Sequence, residues 1–75
     1  MNSSGCDPNY EGLRQQMRVL RKERKLTFDK LAELTGIDRR TVVALEHGET
    51  PGSLKSWYRV ALALGVKPGE FFSVL

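Results

Sequence analysis

The sequence predicts an all-α fold, a compact bundle of five helices in one short chain. Three observations predict it. Apolar residues recur at spacings of three and four along most of the 75 residues, the period that lays one stripe of a helix against a core. Between the periodic segments stand capping residues and glycines, in the order that starts and stops helices. No segment alternates apolar and polar residues as a half-buried strand does.

Residues 1–8 are small and polar and read as a flexible N-terminal tail; residues 9–75 read as the domain. At the seam, Asp7-Pro8 can supply an N-cap and a first helical residue. From there to about Arg24, Leu13, Met17 and Leu20 form one apolar stripe. No Gly or Pro lies between Leu13 and Thr35, so the break near residues 25–27 has to come from capping. Thr27 is the N-cap of a second helix, and Asp29 in its first turn suits the helix dipole. Leu31, Ala32 and Leu34 supply its buried side, and Gly36 its C-cap. Ile37 is an apolar plug. Asp38 caps a third helix, opened by Arg39 and Arg40, packed by Val42, Val43 and Leu45, and ended by Gly48. Pro51-Gly52 forces a loop. Ser53 caps a fourth helix from Leu54 to Leu64. Leu54, Trp57, Tyr58, Val60, Ala61, Leu62 and Leu64 make it apolar on most sides, so it is predicted to be the central, buried one. Gly65 ends it, and Pro68 starts a short last helix holding Phe71, Phe72, Val74 and Leu75.

Length and composition narrow the function. Seventy-five residues make one domain with a small core. No apolar run approaches the roughly 18 residues that span a bilayer. The start lacks a basic stretch followed by an apolar one, so no secretory leader is expected. A single cysteine, Cys6, forms neither an internal disulfide nor a thiolate cluster, which points to a reducing, cytoplasmic setting. An enzyme is not expected. Cys6 has no base beside it. His47, the sole histidine, sits at a helix end as a loop residue or phosphate contact rather than a catalytic base. There is no Gly-rich phosphate loop and no metal-ligand spacing, so no metal and no cofactor are expected. Glu11, Asp29, Glu33, Glu46, Glu49 and Glu70 are scattered. Trp57, Tyr58, Phe71 and Phe72 read as core rather than as a ligand pocket.

Charge points elsewhere. Twelve Lys and Arg against nine Asp and Glu give a net +3, unevenly spread. Residues 11–25 carry six basic and two acidic side chains, Arg14, Arg18, Arg21, Lys22, Arg24 and Lys25 being the basic ones. Arg39 and Arg40 form a second pair. Such clusters attract polyanions, nucleic acid above all, although a solvated helix face has the same composition. The second and third helices, joined through Thr35-Gly36-Ile37-Asp38, make a helix-turn-helix: Gly36 allows a left-handed turn, Ala32 a close approach, and Ile37 and Val42 fill the angle. In that motif the second helix enters the DNA major groove and reads base edges with its N-terminal residues. Arg39, Arg40, Thr41 and Ala44 are the outward, base-facing candidates. Arginine suits a bidentate contact with guanine O6 and N7. Two arginines at a helix start are also disfavoured by the dipole, and that cost leans toward a functional reason over plain solvation.

The ordered run Leu20-Arg21, Leu26-Thr27, Leu31-Ala32, Gly36-Ile37, Val42, Leu45-Glu46-His47-Gly48, Pro51, Ser53-Leu54, Ala61, Ala63-Leu64-Gly65-Val66 and Glu70-Phe71-Phe72 resembles the lambda-repressor-like, or Cro/Xre-type, DNA-binding domain. It covers about residues 12–73. The resemblance implies a five-helix bundle and a regulator, typically a repressor, that binds palindromic operators in double-stranded DNA as a homodimer, in a bacterial or phage setting. It makes residues 38–47 the recognition helix and gives Arg39, Arg40, Thr41 and Ala44 the base-facing positions. Thr27 matches the cap whose helix meets a phosphate. Arg21 and Glu46 match a structural salt bridge between the first and third helices.

The sequence departs from the family twice. Where the family often has Gln after the second N-cap, this chain has Phe28, which stacks on sugar or thymine methyl or folds into the core. The loop His47-Gly48-Glu49-Thr50-Pro51-Gly52 lacks the usual Lys or Arg. Phosphate contacts are therefore expected from Arg18, Lys22, Lys55, His47 and the Thr27-Phe28 segment, with a shallow salt dependence. Family members often dimerise through the last helix, and its apolar run suggests Val66, Phe71, Phe72, Val74 and Leu75 as the dimer interface. The competing function is a protein-interaction module, an antitoxin or partner adaptor whose partner would be a toxin or another regulator.

Overall fold

Five α-helices follow one another in the computed structural model, which describes residues 7–75: α1 Tyr10–Glu23, α2 Phe28–Thr35, α3 Arg39–His47, α4 Leu54–Ala63 and α5 Pro68–Phe71. A 3-10 turn over Phe72–Val74 extends α5. No strand occurs among the described residues, and none of these helices is long and apolar enough to cross a membrane. Residues 1–6 of the expected tail, Cys6 included, lie outside the described residues.

Three helices start as their sequence predicts. Thr27, Asp38 and Ser53 each accept a hydrogen bond from the amide three residues on, at Lys30, Thr41 and Ser56. Such caps satisfy donors that a helix start otherwise leaves open. The start of α1 differs from the expected Asp7-Pro8. Its N-cap is Asn9, whose Oδ1 accepts from Gly12 N at 3.1 Å while Nδ2 donates to Val74 O at 3.2 Å. One amide thus caps α1 and ties it to the C-terminal turn; a carboxylate has no donor for the second bond. The end of α1 is also unusual. Lys25 stands at φ 55°, in the left-handed region without being glycine. Its amide donates to Lys22 O, and the Leu26 amide reaches Arg21 O at 2.9 Å.

The core gathers one face of every helix. Leu13 and Met17 of α1, Leu31 of α2, Val42 and Leu45 of α3, Trp57, Val60 and Ala61 of α4, Leu64 at its end, and Phe71 of α5 are all buried. Trp57 satisfies its indole N–H on Pro51 O at 2.8 Å, which pins the loop before α4. Thr35 organises the turn between α2 and α3. Its hydroxyl donates to Leu31 O at 2.7 Å and accepts from the Ile37 amide at 3.1 Å.

Several expectations about burial fail. The fourth helix is not buried all round: Leu54 is 74% exposed, and Tyr58 and Leu62 are exposed with it. These three sit four residues apart and form an apolar stripe beside the buried face. A bundle of short helices gives α4 too few neighbours to cover both. Tyr58 is therefore not core. Leu34 likewise faces solvent, leaving Leu31 as the deeply buried leucine of α2. Phe71, expected at a dimer interface, is wholly buried, against Trp57 with ring centroids 6.1 Å apart. It has no surface to offer a partner in this fold. Val66, Phe72 and Val74 are half-buried, and Leu75 is exposed.

Candidate nucleic-acid interface

The recognition-helix candidate is held from behind. Val42, Leu45 and Glu46 are its buried residues. At about 100° per residue, the opposite face centres on Arg40, Ala44 and His47, with Arg39 and Val43 on one flank and Thr41 on the other. Arg39, Arg40 and His47 are exposed, and Thr41, Val43 and Ala44 half-buried. Val43 was expected to pack. It lies outside the apolar core, four residues from both Arg39 and His47, on the flank that the arginine occupies. The periodicity that buries Val42 and Leu45 already turns Val43 away, but its apolar side chain suggested packing.

The start of α3 is rigid. Asp38 Oδ2 accepts from the Thr41 amide at 3.0 Å and Oδ1 from the Thr41 hydroxyl at 2.8 Å. The Thr41 hydroxyl bond, then its amide bond, hold the Asp38 carboxyl below its ordinary range, with a smaller contribution from the charge of Arg40. The Thr41 hydroxyl is thereby already engaged.

Behind the start of α2 lies a cluster that ties three helices together. Arg21 of α1 donates from Nε to Glu46 Oε1 at 2.7 Å, from a terminal nitrogen to Glu46 Oε2 at 3.0 Å, and from the other to Leu26 O at 3.2 Å. Arg18 adds a weaker contact, 3.7 Å from Glu46 Oε2. The Glu46 side chain is only 3% exposed, so this fork is what makes its charge tolerable there. The hydrogen bond to Glu46 raises the Arg21 guanidinium above its already high value, burial opposing. Phe28 covers the pair. Its ring centroid lies 4.3 Å from the Arg21 guanidinium carbon and 6.1 Å from the His47 ring, edge to face. Phe28 is half-buried against the core rather than projecting for a phosphate.

The remaining candidates fall into two groups. Thr27 is exposed at the start of α2, its hydroxyl oxygen accepting from the Lys30 amide. Arg18 and His47 line a polar cleft of about 210 Å³ with Glu11, Arg14, Gln15 and Glu46. Arg14 was missed as a site residue. It crosses the end of α3, where a Cβ on Gly48 would stand 2.8 Å from its Nε. Its signal was the four-residue spacing from Arg18, which puts both on one face of α1. Lys22 and Lys55 are exposed, and among the described residues no ion pair engages their side chains. No group of three or more His, Cys, Asp or Glu among the described residues could hold a metal ion.

Comparison with known proteins agrees with this arrangement. A family model described as a helix-turn-helix domain matches residues 15–74. The chain is 45% identical over 53 residues to an uncharacterized HTH-type transcriptional regulator of Methanothermobacter thermautotrophicus, covering 71% of this chain and 77% of that one. Another of that description, from Methanocaldococcus jannaschii, is 32% identical over 60 residues, 80% of this chain and 91% of its own. A third, from Archaeoglobus fulgidus, is 32% identical over 60 residues, with 80% and 84% covered. No solved structure matches the chain with significance. With the turn centred on Gly36, α3 anchored through Glu46, and a family match across most of its length, the chain belongs to the helix-turn-helix domain family.

Proposed function

We propose that this protein is a sequence-specific, double-stranded-DNA-binding transcriptional regulator that acts in the cytoplasm as a homodimeric repressor on a palindromic operator. One observation carries it: α3 is locked on one side by Val42, Leu45 and the Arg21–Glu46 pair, while Arg39, Arg40, Ala44 and His47 face outward. A helix held so rigidly and tipped with two arginines suits direct readout of guanine in a major groove. The relatives' description as transcriptional regulators supports the same reading. Arg39, Arg40, Thr41 and Ala44 are the proposed base-facing residues. Thr27, Arg18, Lys22, His47 and Lys55 are proposed to meet phosphates, joined by Arg14. The bacterial or phage setting implied by the resemblance has no counterpart among the three relatives, which are archaeal.

The second copy is proposed to cover Val66, Phe72, Val74 and Leu75. Phe72 and Leu75 border a shallow, mainly apolar depression of about 150 Å³ together with Pro8, Tyr10, Leu54 and Trp57. A two-fold pair would set two recognition helices about 34 Å apart, one turn of DNA. Selection of binding sites from a random duplex pool tests the whole reading. An enriched palindrome with half-sites one helical turn apart is expected; sequence-independent enrichment would overturn it.

A second reading, a protein-interaction module built on the same fold, is favoured by Phe28 and the loop after α3. Phe28 packs on Arg21 instead of offering a hydrogen bond, and residues 48–53 carry Glu49 and no Lys or Arg. Combined Arg39→Ala and Arg40→Ala separates the two. DNA binding should disappear in the first reading, and partner binding should survive in the second.

A further inference from the structure

The first turn of α2 meets two exposed side chains of α3, His47 through Phe28 and Arg39 through Asp29. Arg39 Nε stands 2.9 Å from Asp29 Oδ1, and the Arg39 guanidinium carbon lies 6.0 Å from the centroid of the Phe28 ring. Phe28 is itself fixed by Arg21 and His47. An acid and a ring edge on α2 thus define where the guanidinium of Arg39 sits.

We propose that Asp29 is a positioning residue for Arg39, so that the first turn of α2 sets the base specificity of α3. The proposal rests on the reading of α3 as the base-contacting helix. An arginine side chain in the first turn of a helix has several free torsions and an unfavourable dipole behind it. Ordering it only when DNA arrives costs entropy that a pre-positioned side chain does not lose. Guanidinium carries five N–H donors, and a bidentate contact to guanine uses two. A carboxylate that engages Nε therefore leaves donors for a base. Asp29 acts a second time through its sign. It is 81% exposed, and a negative charge beside the DNA-facing surface weakens binding to any duplex alike. Arg39 is thereby favoured at guanine, where its contact offsets the penalty, and the complex at other sequences is disfavoured.

This differs from two simpler roles for the same carboxylate. If Asp29 merely repelled phosphate, its loss would strengthen all complexes equally. If it withheld Arg39 from DNA, its loss would sharpen discrimination.

The test uses the full chain as wild type, Asp29→Asn, Asp29→Glu, Arg39→Ala and the combined Asp29→Asn, Arg39→Ala variant. The duplex that wild type selects from a random pool is the probe. Binding is compared with the same duplex carrying adenine in place of each guanine of the half-site in turn. Asp29→Asn is expected to lose discrimination at one guanine by about threefold to tenfold, in the lower part of the range for coupled neighbouring residues. The nonspecific duplex should bind it more tightly. Asp29→Glu should restore most of the discrimination. In the Arg39→Ala background the Asp29→Asn change should have no further effect at that guanine. Unchanged or increased discrimination in Asp29→Asn overturns the proposal, as does an equal loss in the Arg39→Ala background. If wild type selects no site, the reading of α3 fails and takes the proposal with it. If wild type selects a site and Asp29→Asn discriminates as well as wild type, only the role of Asp29 is lost.

Discussion

The carboxylate of Glu46 is the most demanding group in this protein. It is buried, charged and held by a two-pronged fork from Arg21. Removing one partner of such a pair leaves an uncompensated charge, and the two removals are not equivalent. Arg21→Ala strands a carboxylate that is almost out of water, leaving it only the distant contact of Arg18. That should cost about 3–5 kcal/mol, most of the stability of a domain this small. Glu46→Gln leaves an oxygen for Arg21 to reach, and Arg21 keeps Leu26 O and the face of Phe28. Its cost should be nearer 1–2 kcal/mol. Urea unfolding checks the order, and equal losses would mean the fork does not carry the charge. Asp38 gives a pH signature at the same scale. Its carboxyl is held below the ordinary aspartate range by the Thr41 bonds. A depressed acid contributes stability that is present above the unfolded value and lost as pH falls through the folded one. Melting temperatures of wild type and Asp38→Asn should therefore differ by a constant amount above about pH 5 and converge below pH 4. A difference that persists unchanged to pH 2 would remove the charge from the cap.

Among the elements, the turns are more exacting than the helices. Gly36 ends α2 at φ +74°, where an added Cβ would meet nothing within 4 Å. Gly52 has the same φ of +74°, but its Cβ would run into Leu45 and lie 2.8 Å from Trp57 Nε1. Gly36→Ala should therefore show the left-handed penalty alone, about 1–2 kcal/mol. Gly52→Ala should lose clearly more, because Trp57 is fixed to Pro51 O and cannot yield. Thermal melts of the pair check this, and similar losses would show that the loop before α4 adapts. The same elements show what the sequence made legible. Caps at Thr27, Asp38 and Ser53 were readable because a side-chain oxygen three residues before an amide is a local event. The break near residues 25–27 was located and assigned to capping, but the left-handed Lys25 within it has no composition signal. Asn9 was passed over because half of its role is a bond to Val74, 65 residues away. Leu54, Tyr58 and Leu62 were expected inside because hydropathy reports preference, while exposure depends on how many helices remain to cover a face. In the candidate site, the spacing of Arg39 and Arg40 was visible. The pairing of Arg39 with Asp29 was not, because it joins two helices through a turn.

For the whole molecule, the distribution of charge matters more than its net value of +3. Basic side chains concentrate on α1 and at the start of α3, and acids interrupt them at Asp29, Glu46 and Glu49. Several of the basic groups are partly committed, among them Arg21 to Glu46 and Arg39 to Asp29. The exposed pair at Arg39 is worth only about 0–1 kcal/mol, and because Asp29 engages Nε it leaves the terminal nitrogens for a base. The buried pair at Arg21 does not open. Arg18 is the informative case. It lies near Glu46 at 3.7 Å yet is 47% exposed, and Arg21 alone satisfies the carboxylate when it is gone. Arg18→Ala should leave the fold intact and weaken binding to all duplexes by a similar factor. It should also lower the slope of log affinity against log salt by about one, the loss of a single phosphate contact. Arg40→Ala should instead change which sequences bind best, because Arg40 stands at the centre of the surface proposed to face the bases. Affinity titrations at several salt concentrations, on the selected duplex and on a scrambled one, separate the two. An unchanged salt slope in Arg18→Ala would move the phosphate contacts off this face of α1. An unchanged sequence ranking in Arg40→Ala would move base recognition away from the start of α3.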